Sequence, residues 1–432
     1  MKLFNQLFNN KFSYFDQMSI FLFSMLPISI FIGNAAININ ILLISLLFLS
    51  YCFKFKQWDW VKKDIFLYLL ALYIFLNLNS LYSYFILYKN PHNLFWYDAG
   101  IRRSFLFIKF ILMVFAFSTL LKDNKILNLV HKSWIIIITI TILDVFYEKF
   151  IGHNILGYNN PDLTRLVSFF KDESVVGSFI FCFGYTATTY FMSKNNKKNT
   201  FLPLLLIFIL IPLSVFITGE KSSFIKSIIL FFLILYFFRK NEYNLNYKIL
   251  IGSLIFLISF IFILNENTRT KYTETYKRIK ITGPQTKIMN KLQNIKYFAH
   301  YDSAIRIFKN YPVTGVGNKN FRIECYNHEK YFNKNIKFSH KRCNTNPHQI
   351  HFEILSEQGI VGYSMILFFL IWFSIKNIKM SIKNKNMYHL SNTGYLLVFF
   401  IPLLPGGGMF STFNGVLFWV IFSLVNLSYE KK

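Results

Sequence analysis

The sequence predicts an all-α integral membrane protein with about twelve transmembrane helices and one large extramembrane loop that contains short helices. Hydrophobic residues make up 54% of the 432 residues, aromatic residues make up 20%, and the mean hydropathy is +0.38. Apolar runs long enough to cross a bilayer as a helix recur along the chain, without the alternation typical of membrane β-strands. A soluble domain and a β-barrel are therefore poor fits to this sequence.

The apolar runs divide the chain into three parts, namely residues 1–264 with helices 1 to 9, the loop 265–359, and residues 360–432 with helices 10 to 12. The first run follows a polar segment with Lys2 and Lys11 and lacks a small-residue cleavage site, so we expect it to stay in the membrane. The predicted spans are 15–33, 36–53, 65–88, 104–121, 133–150, 174–193, 201–218, 222–238, 248–264, 360–376, 392–405 and 410–428.

The placement of lysine predicts the side of the membrane on which each loop lies. Short loops on one side carry many lysines, such as Lys54, Lys125 and Lys379, whereas those on the other side carry few. Cytoplasmic loops retain positive charge. Both termini are therefore predicted to be cytoplasmic, and the large loop is predicted to be periplasmic.

Charge in the large loop predicts an anionic ligand. The net charge of the chain is +27, and an AT-rich coding sequence explains much of its lysine. Between residues 265 and 352, however, there are 17 Lys and Arg against 5 Asp and Glu, on the side where the positive-inside rule gives no reason for them. Such a field suits a diphosphate or lipid headgroups. Nucleic acid is a poor partner on that side of a membrane.

Arginine is scarce and unevenly placed. The chain has 9 arginines, and Arg239 alone lies on the predicted inner side. A guanidinium binds phosphate oxygens through two hydrogen bonds, so this asymmetry indicates a phosphate-handling outer face. An ordinary surface role for any single arginine stays open. The outer arginines are Arg102, Arg103, Arg165, Arg269, Arg278, Arg306, Arg322 and Arg342.

Two short features of the loop leave alternatives open. Cys325 and Cys343 either form a disulfide, as an oxidising compartment allows, or remain reduced. Gly315 and Gly317 predict a tight turn, which either lets the backbone approach a ligand or serves as a plain turn.

The loop closes in a polar stretch, residues 346–353, that contains His348 and leads through Glu357 into the tenth predicted span. A histidine titrates near pH 6.5 and can act as a base, although capping or packing at a helix start is an alternative role. Glu357 either orients the histidine or only occupies the last turn before the span. His351 and Glu353, together with His348, suggest a metal site, but these donors of mixed type do not form a complete set of ligands.

Six segments resemble the O-antigen ligase and polymerase family. The strongest are Asn310–Arg322 (NYPVTGVGNKNFR), Cys343–Gln349 (CNTNPHQ) and Glu357–Gly362 (EQGIVG), and the weaker ones are 169–177, 218–224 and 410–419. Their order and spacing are more specific than any one of them. The first 150 residues are similar to the family only as generic spans.

The resemblance implies a metal-independent glycosyltransferase without a cofactor, a multi-pass protein of the bacterial inner membrane. Its donor would be an undecaprenyl diphosphate-linked glycan, and its acceptor the lipid A-core for a ligase or a second carrier-linked glycan for a polymerase. Both activities stay open, with membrane lipids as further partners. The family's essential histidine corresponds to His348, the general base. Gln349 departs from the asparagine that usually follows, but both are amides.

The resemblance also implies a cationic clamp for the diphosphate. Lys221 stands where the family commonly has arginine, so it is a cation without the bidentate fork. The loop arginine of the clamp is not aligned with certainty, and the candidates are Arg306, Arg278 and Arg322, with Arg165 as a further outer cation.

Two other classes of protein remain as alternatives. A polysaccharide or lipid transporter would place charged residues deep in its spans and show repeated halves, yet Asp144 is almost the only acid inside a predicted span and no repeat is present. A non-catalytic membrane scaffold would tolerate replacement of His348.

Overall fold

The structure, a computed structural model, describes residues 12–87, 94–159, 165–171, 173, 175–194, 198–240, 247–280, 296–336 and 338–430. Within these residues the chain forms helices and turns, and none of it forms a β-strand, so the all-α class is confirmed. The α-helices are α1 Tyr14–Ser24, α2 Leu26–Ile32, α3 Asn34–Phe55, α4 Asp64–Tyr82, α5 Leu94–Phe105, α6 Ile108–Leu120, α7 Asn124–Ile151, α8 Val176–Lys194, α9 Lys198–Ile217, α10 Lys221–Lys240, α11 Tyr247–Leu264, α12 Glu266–Lys280, α13 Lys296–Asn310, α14 Phe321–Asn327, α15 Ile350–Lys383, α16 Met387–Phe399 and α17 Thr412–Glu430.

The described helices include candidate membrane spans, as expected of a membrane protein. Five are long and apolar enough to cross a bilayer, and two bent pairs bring the number to as many as seven. The first predicted span is one such pair, α1 and α2, bent by 42° just before Pro27. Apolar helices at 204–217 and 412–428 are shorter than that test requires. The total of about twelve spans stays a prediction.

Helix α8 lies at the centre of the bundle. Nearly all of its residues are buried, and it packs against α7, α9 and α16. Its small residues permit this close packing, since a Cβ on Gly184 would already lie 3.1 Å from Ile211. The main hydrophobic core therefore surrounds α8.

The insertion between α12 and α15 has a second, smaller core, formed by buried residues of α13, α14, the turn between them and the short helix that follows α14. Helix α13 packs against α15, which anchors the insertion on the membrane part. The core residues are Ala304, Ile307, Val316, Phe321, Cys325 and Tyr331.

Helix α15 is longer than the predicted span 360–376 because it starts within the polar segment. Its backbone is interrupted at Gly359, where φ is 63° and ψ is −168°. Helix α4 runs antiparallel to it: Tyr68 stacks on Phe369 with ring centroids 3.8 Å apart, and Asn79 meets Gln358 near the other end.

Candidate active site

The glycine turn at residues 315–317 and the break in α15 lie back to back. The N–H groups of residues 316 and 317 donate to the carbonyls of Ser356 at 3.0 Å and Glu357 at 2.8 Å. At Gly359, where φ is 63°, a Cβ would lie 2.2 Å from the carbonyl oxygen of Val313. Glycine alone fits there, because other residues rarely adopt this conformation and the space is filled. Two motif segments distant in sequence thus form one unit.

Asn79 of α4 fastens this unit to the membrane part. Its amide donates to the carbonyl of Thr314 at 2.9 Å and to the side chain of Gln358 at 2.8 Å. Asn79 is only 4% exposed. A buried amide in an apolar helix is costly unless it is hydrogen-bonded, and here it links three segments of the chain.

The backbone and ring of His348 are both held in place. Its N–H donates to Oδ1 of Asn346 at 2.8 Å, and its carbonyl accepts from the N–H of Gly406 at 2.7 Å. The amide of Asn344 donates to Nε2 of the ring at 2.8 Å. Since an amide N–H can only donate, Nε2 carries the lone pair and the proton of the neutral ring is on Nδ1.

Burial and neighbouring cations keep His348 neutral. Rings of Tyr297 and His300 on α13 lie 5.5 and 5.3 Å from its ring, centroid to centroid. Burial and, to a smaller extent, the charges of His300 and Lys296 together lower the pKa of His348 to about 4. The pKa of His300 is also lowered by burial, and its Nδ1–H donates to the carbonyl of Arg342 at 2.9 Å. His348 therefore offers a lone pair near neutral pH.

Gln349 is the N-cap of α15. Its side-chain oxygen accepts from the N–H of Phe352 at 3.1 Å, and the residue is 1% exposed. An amide oxygen at this position satisfies one of the free N–H groups of the first turn. The residue that departs from the family pattern thus has a structural partner of its own.

Glu357 lies in a cluster of buried charges. Lys319 and Glu353 form an ion pair, with 4% and 1% of their surfaces exposed. Glu357 is fully buried and interacts with the charges of both. Arg322 of α14 interacts with Glu357 and with Arg103 of α5; burial and then Arg103 lower the pKa of Arg322. Among the described residues no contact joins Glu357 to His348, so its position favours holding cations of the insertion over orienting the histidine.

Lys226 on α10 lies under the loop that holds His348. The residue is 8% exposed, and its Nζ lies 3.1 Å from the position of a Cβ on Gly406, whose N–H binds His348. Ser222, one turn earlier, donates to the carbonyl of Pro405. Within the part of the chain that the structure describes, Nζ of Lys226 contacts the face of Phe399 at 5.5 Å and has no hydrogen-bond acceptor.

Lys221 and Arg165 both lie at the turn that joins α9 to α10. Leu166, next to Arg165, donates its N–H to the carbonyl of Thr218 at 3.3 Å, and Nζ of Lys221 lies 5.7 Å from the ring centroid of Tyr272. The structure thus brings these two predicted cations to one turn, and α10 connects that turn to Lys226.

Acidic side chains of α7 shape the segment that carries Arg165. Glu148 accepts from the N–H groups of Val167 at 3.0 Å and Ser168 at 2.7 Å. Asp144 accepts from the Ser168 hydroxyl at 2.5 Å and the N–H of Ile155 at 2.9 Å. Asp144, the acid inside a predicted span that bears on the transporter alternative, therefore has a structural role.

The remaining predicted cations lie elsewhere. Nε of Arg306 donates to Asp302 on the same helix at 2.8 Å, and its side chain is 40% exposed. Arg278 lies on α12, and its side chain is outside the described residues. A disulfide joins Cys325 to Cys343, which ties α14 to the segment that ends at the candidate base.

His351 has both ring nitrogens occupied. Nε2–H donates to the carbonyl of Phe400 at 2.7 Å, and Nδ1 accepts from the hydroxyl of Tyr363 at 3.1 Å. These bonds fix α15 to α16 and leave no lone pair toward His348. Among the described residues no group of three or more His, Cys, Asp or Glu side chains is arranged to hold a metal ion.

Several residues of this site were not predicted from the sequence: Asn79, Lys226, Lys319 and Asn344. Two of them carried a signal, since a polar amide and a lysine inside predicted apolar spans mark functional or structural sites. Lys319 and Asn344 belong to the quoted motifs, but their partners become known only from the folded structure.

The fold and this site define a class: an all-α membrane protein whose insertion packs a neutral histidine and several cations against the ends of its helices. Residues 205–368 match the family model described as O-Antigen ligase. This part of the chain thus matches the O-antigen ligase family, as the motifs predicted. No curated protein matches the chain. The match includes Lys221, Lys226, His348 and Glu357 and supports a glycosyltransferase-type activity on lipid-linked glycans.

Proposed function

We propose that the protein is an O-antigen ligase that transfers a glycan from undecaprenyl diphosphate to a lipid A-core acceptor at the periplasmic face of the inner membrane. The observation that carries this proposal is the neutral His348 inside the matched domain, with a lone pair on Nε2 and cations nearby. An O-antigen polymerase would use the same donor and the same histidine.

The protonation state of His348 supports its proposed role as the general base. Its pKa of about 4 leaves the ring unprotonated at neutral pH, so it can accept a proton at once. A bound diphosphate would add negative charge near the ring and raise this pKa, which strengthens the base when the donor is present. An acceptor hydroxyl would replace the Asn344 amide as the donor to Nε2.

We assign the stabilisation of negative charge on the leaving diphosphate to the cations around the turn between α9 and α10. Lys221 and Arg165 lie at this turn, and Lys226 lies one to two turns further along α10 beneath residues 405–408. Fixed cations in a site shielded from water stabilise a developing anion strongly. Arg322 with Arg103, on the side of the insertion, is a second pair of guanidinium groups suited to phosphate.

The chemistry is a single displacement. The acceptor oxygen forms a bond to the anomeric carbon while the bond from that carbon to the diphosphate oxygen breaks. The proton of the acceptor hydroxyl passes to Nε2 of His348, and the bonding electron pair leaves with the lipid diphosphate. Direct attack inverts the anomeric configuration, and the proton returns from His348 to water.

The largest effect is expected from His348→Ala, because this substitution removes the nitrogen to which the proposed mechanism transfers the proton of the acceptor hydroxyl. In purified protein with a lipid diphosphate-linked glycan, this variant should lose transfer by at least about a hundredfold. His340→Ala, at an exposed histidine of the same insertion, is the matched control and should keep activity. Near-normal transfer by His348→Ala would sink the proposal.

The acceptor separates ligase from polymerase. Purified protein is given the donor together with either lipid A-core or a second carrier-linked glycan, and products are resolved by gel and mass spectrometry. Transfer to lipid A-core alone supports the ligase. Longer carrier-linked chains without transfer to lipid A-core would assign the polymerase.

A further inference from the structure

The far ends of α4 and α15 enclose a cavity that the proposed reaction does not use. Its volume is about 470 Å³, within the range of ligand pockets, and it is lined by Lys62, Lys63, Asp64, Trp372, Phe373 and Lys376, among others. From Asn79 back to Asp64, α4 rises about 22 Å at 1.5 Å per residue. The cavity therefore lies most of a bilayer thickness away from the glycine turn.

The charges in this cavity favour an anion. Lysines from two segments distant in the sequence line one space, and Asp64 is the only acid among the described residues of that lining. An excess of lysines in the lining of one space gives it a positive potential that attracts an anion. A second cavity of about 570 Å³ at the same end differs: its acids include Asp16 and Asp123, which cap α1 and α7, so it has no excess of cations.

The surroundings favour a lipid over a soluble phosphate. Ile65 and Phe373 form an apolar wall of the cavity, and α15 next to it exposes Phe368 at 79% and Ile375 at 49%, a surface suited to acyl chains. Trp372 also lines the cavity, and Nζ of Lys376 lies 5.0 Å from its ring centroid. Tryptophan and lysine together are typical of the headgroup level of a membrane.

We infer that this cavity is a binding site for the headgroup of an anionic phospholipid, with Lys62 and Lys376 contacting the phosphate and the acyl chains lying along α15. The site is independent of glycan transfer. It would hold the far ends of α4 and α15 together while their other ends carry the active site.

The test is lipid binding to the full-length protein in detergent, measured by native mass spectrometry with phosphatidylglycerol and with phosphatidylcholine. At about a factor of five per lysine, the double variant Lys62→Gln/Lys376→Gln should bind phosphatidylglycerol roughly thirtyfold more weakly. Lys379→Gln, an exposed lysine of α15 outside the cavity, is the matched control and should bind normally.

Three results would overturn the inference: equal binding of phosphatidylcholine and phosphatidylglycerol, unchanged binding in the double variant, or equal loss in the Lys379→Gln control. Glycerol 3-phosphate tests the other source of the same chemistry. Weak competition by it supports a lipid site, whereas competition as strong as that of phosphatidylglycerol would assign the cavity to a soluble phosphate. None of these readouts depends on glycan transfer, so the ligase proposal stands or falls separately.

Discussion

The two ends of the antiparallel pair α4 and α15 are built in opposite ways. At one end, Asn79, the glycine turn and the break at Gly359 are locked by hydrogen bonds with almost no free space. At the other end, Lys62 and Lys376 line an open cavity. The same two helices thus combine a rigid end, suited to positioning reacting groups, with an open end suited to a mobile lipid.

The difference between the two ends shows that lysines in this chain have two different roles. Lys319 is 4% exposed and paired with Glu353, so its charge is part of the fold. Lys376 is exposed, so its charge contributes little to the stability of the fold. The net charge of +27 does not distinguish these two roles. Substitutions of lysines at the two ends would distinguish them.

The largest effect on stability is expected from Gly359→Ala. A Cβ there would lie 2.2 Å from the carbonyl oxygen of Val313 and require an unfavourable backbone, so the turn would separate from α15. The free energy of unfolding should fall by about 4 kcal/mol or more. Gly252→Ala is the control, since nothing lies within 4 Å of that position. Thermal unfolding in detergent measures both, and equal midpoints would contradict the packing.

A matched pair of lysine substitutions comes next. Lys319→Met leaves the carboxylate of Glu353 buried without its partner and should cost about 3 kcal/mol. Lys376→Met removes an exposed charge and should change stability by less than about 0.5 kcal/mol. Chemical denaturation compares the two variants, and equal losses would erase the contrast between the two ends.

Lys226→Met tests the proposed donor site by activity. Loss of this cation should raise the KM for the lipid diphosphate donor about tenfold, because a point charge on phosphate contributes on the order of 1.4 kcal/mol. Lys226→Arg keeps the charge and should recover most of the affinity. Steady-state kinetics separate KM from kcat, and an unchanged KM in Lys226→Met would remove this lysine from the donor site.

The smallest effect is on the pH profile. The unprotonated base is the active form, and burial lowers the pKa of His348 to about 4, so kcat/KM should hardly fall between pH 8 and pH 5 and should decline only near pH 4. The bound diphosphate raises this pKa, so kcat should decline at a higher pH than kcat/KM. A decline of kcat/KM centred at pH 6.5 would mean that His348 is solvated in the free enzyme.

Much of this molecule was predictable from its sequence, and the rest depends on contacts between distant segments. The apolar runs predicted the all-helical class, and the order of the motifs predicted the family. The sequence predicted a boundary at Gly359, but it did not show that helix continues on both sides of this position. The partners of Glu357 were also hidden, since Lys319 and Arg322 lie more than thirty residues upstream in the sequence.

The bond between Gly406 and the carbonyl of His348 has a consequence for how the protein is made. Chains emerge from the ribosome N-terminus first, and Gly406 is translated after α15 and α16. Until then, the backbone of His348 lacks this partner, and residues 405–408 do not yet cover Lys226. Nascent chains would therefore acquire a complete site only once nearly all of α1 to α16 has been inserted. Biosynthesis itself would thus delay activity until the protein is assembled in the membrane.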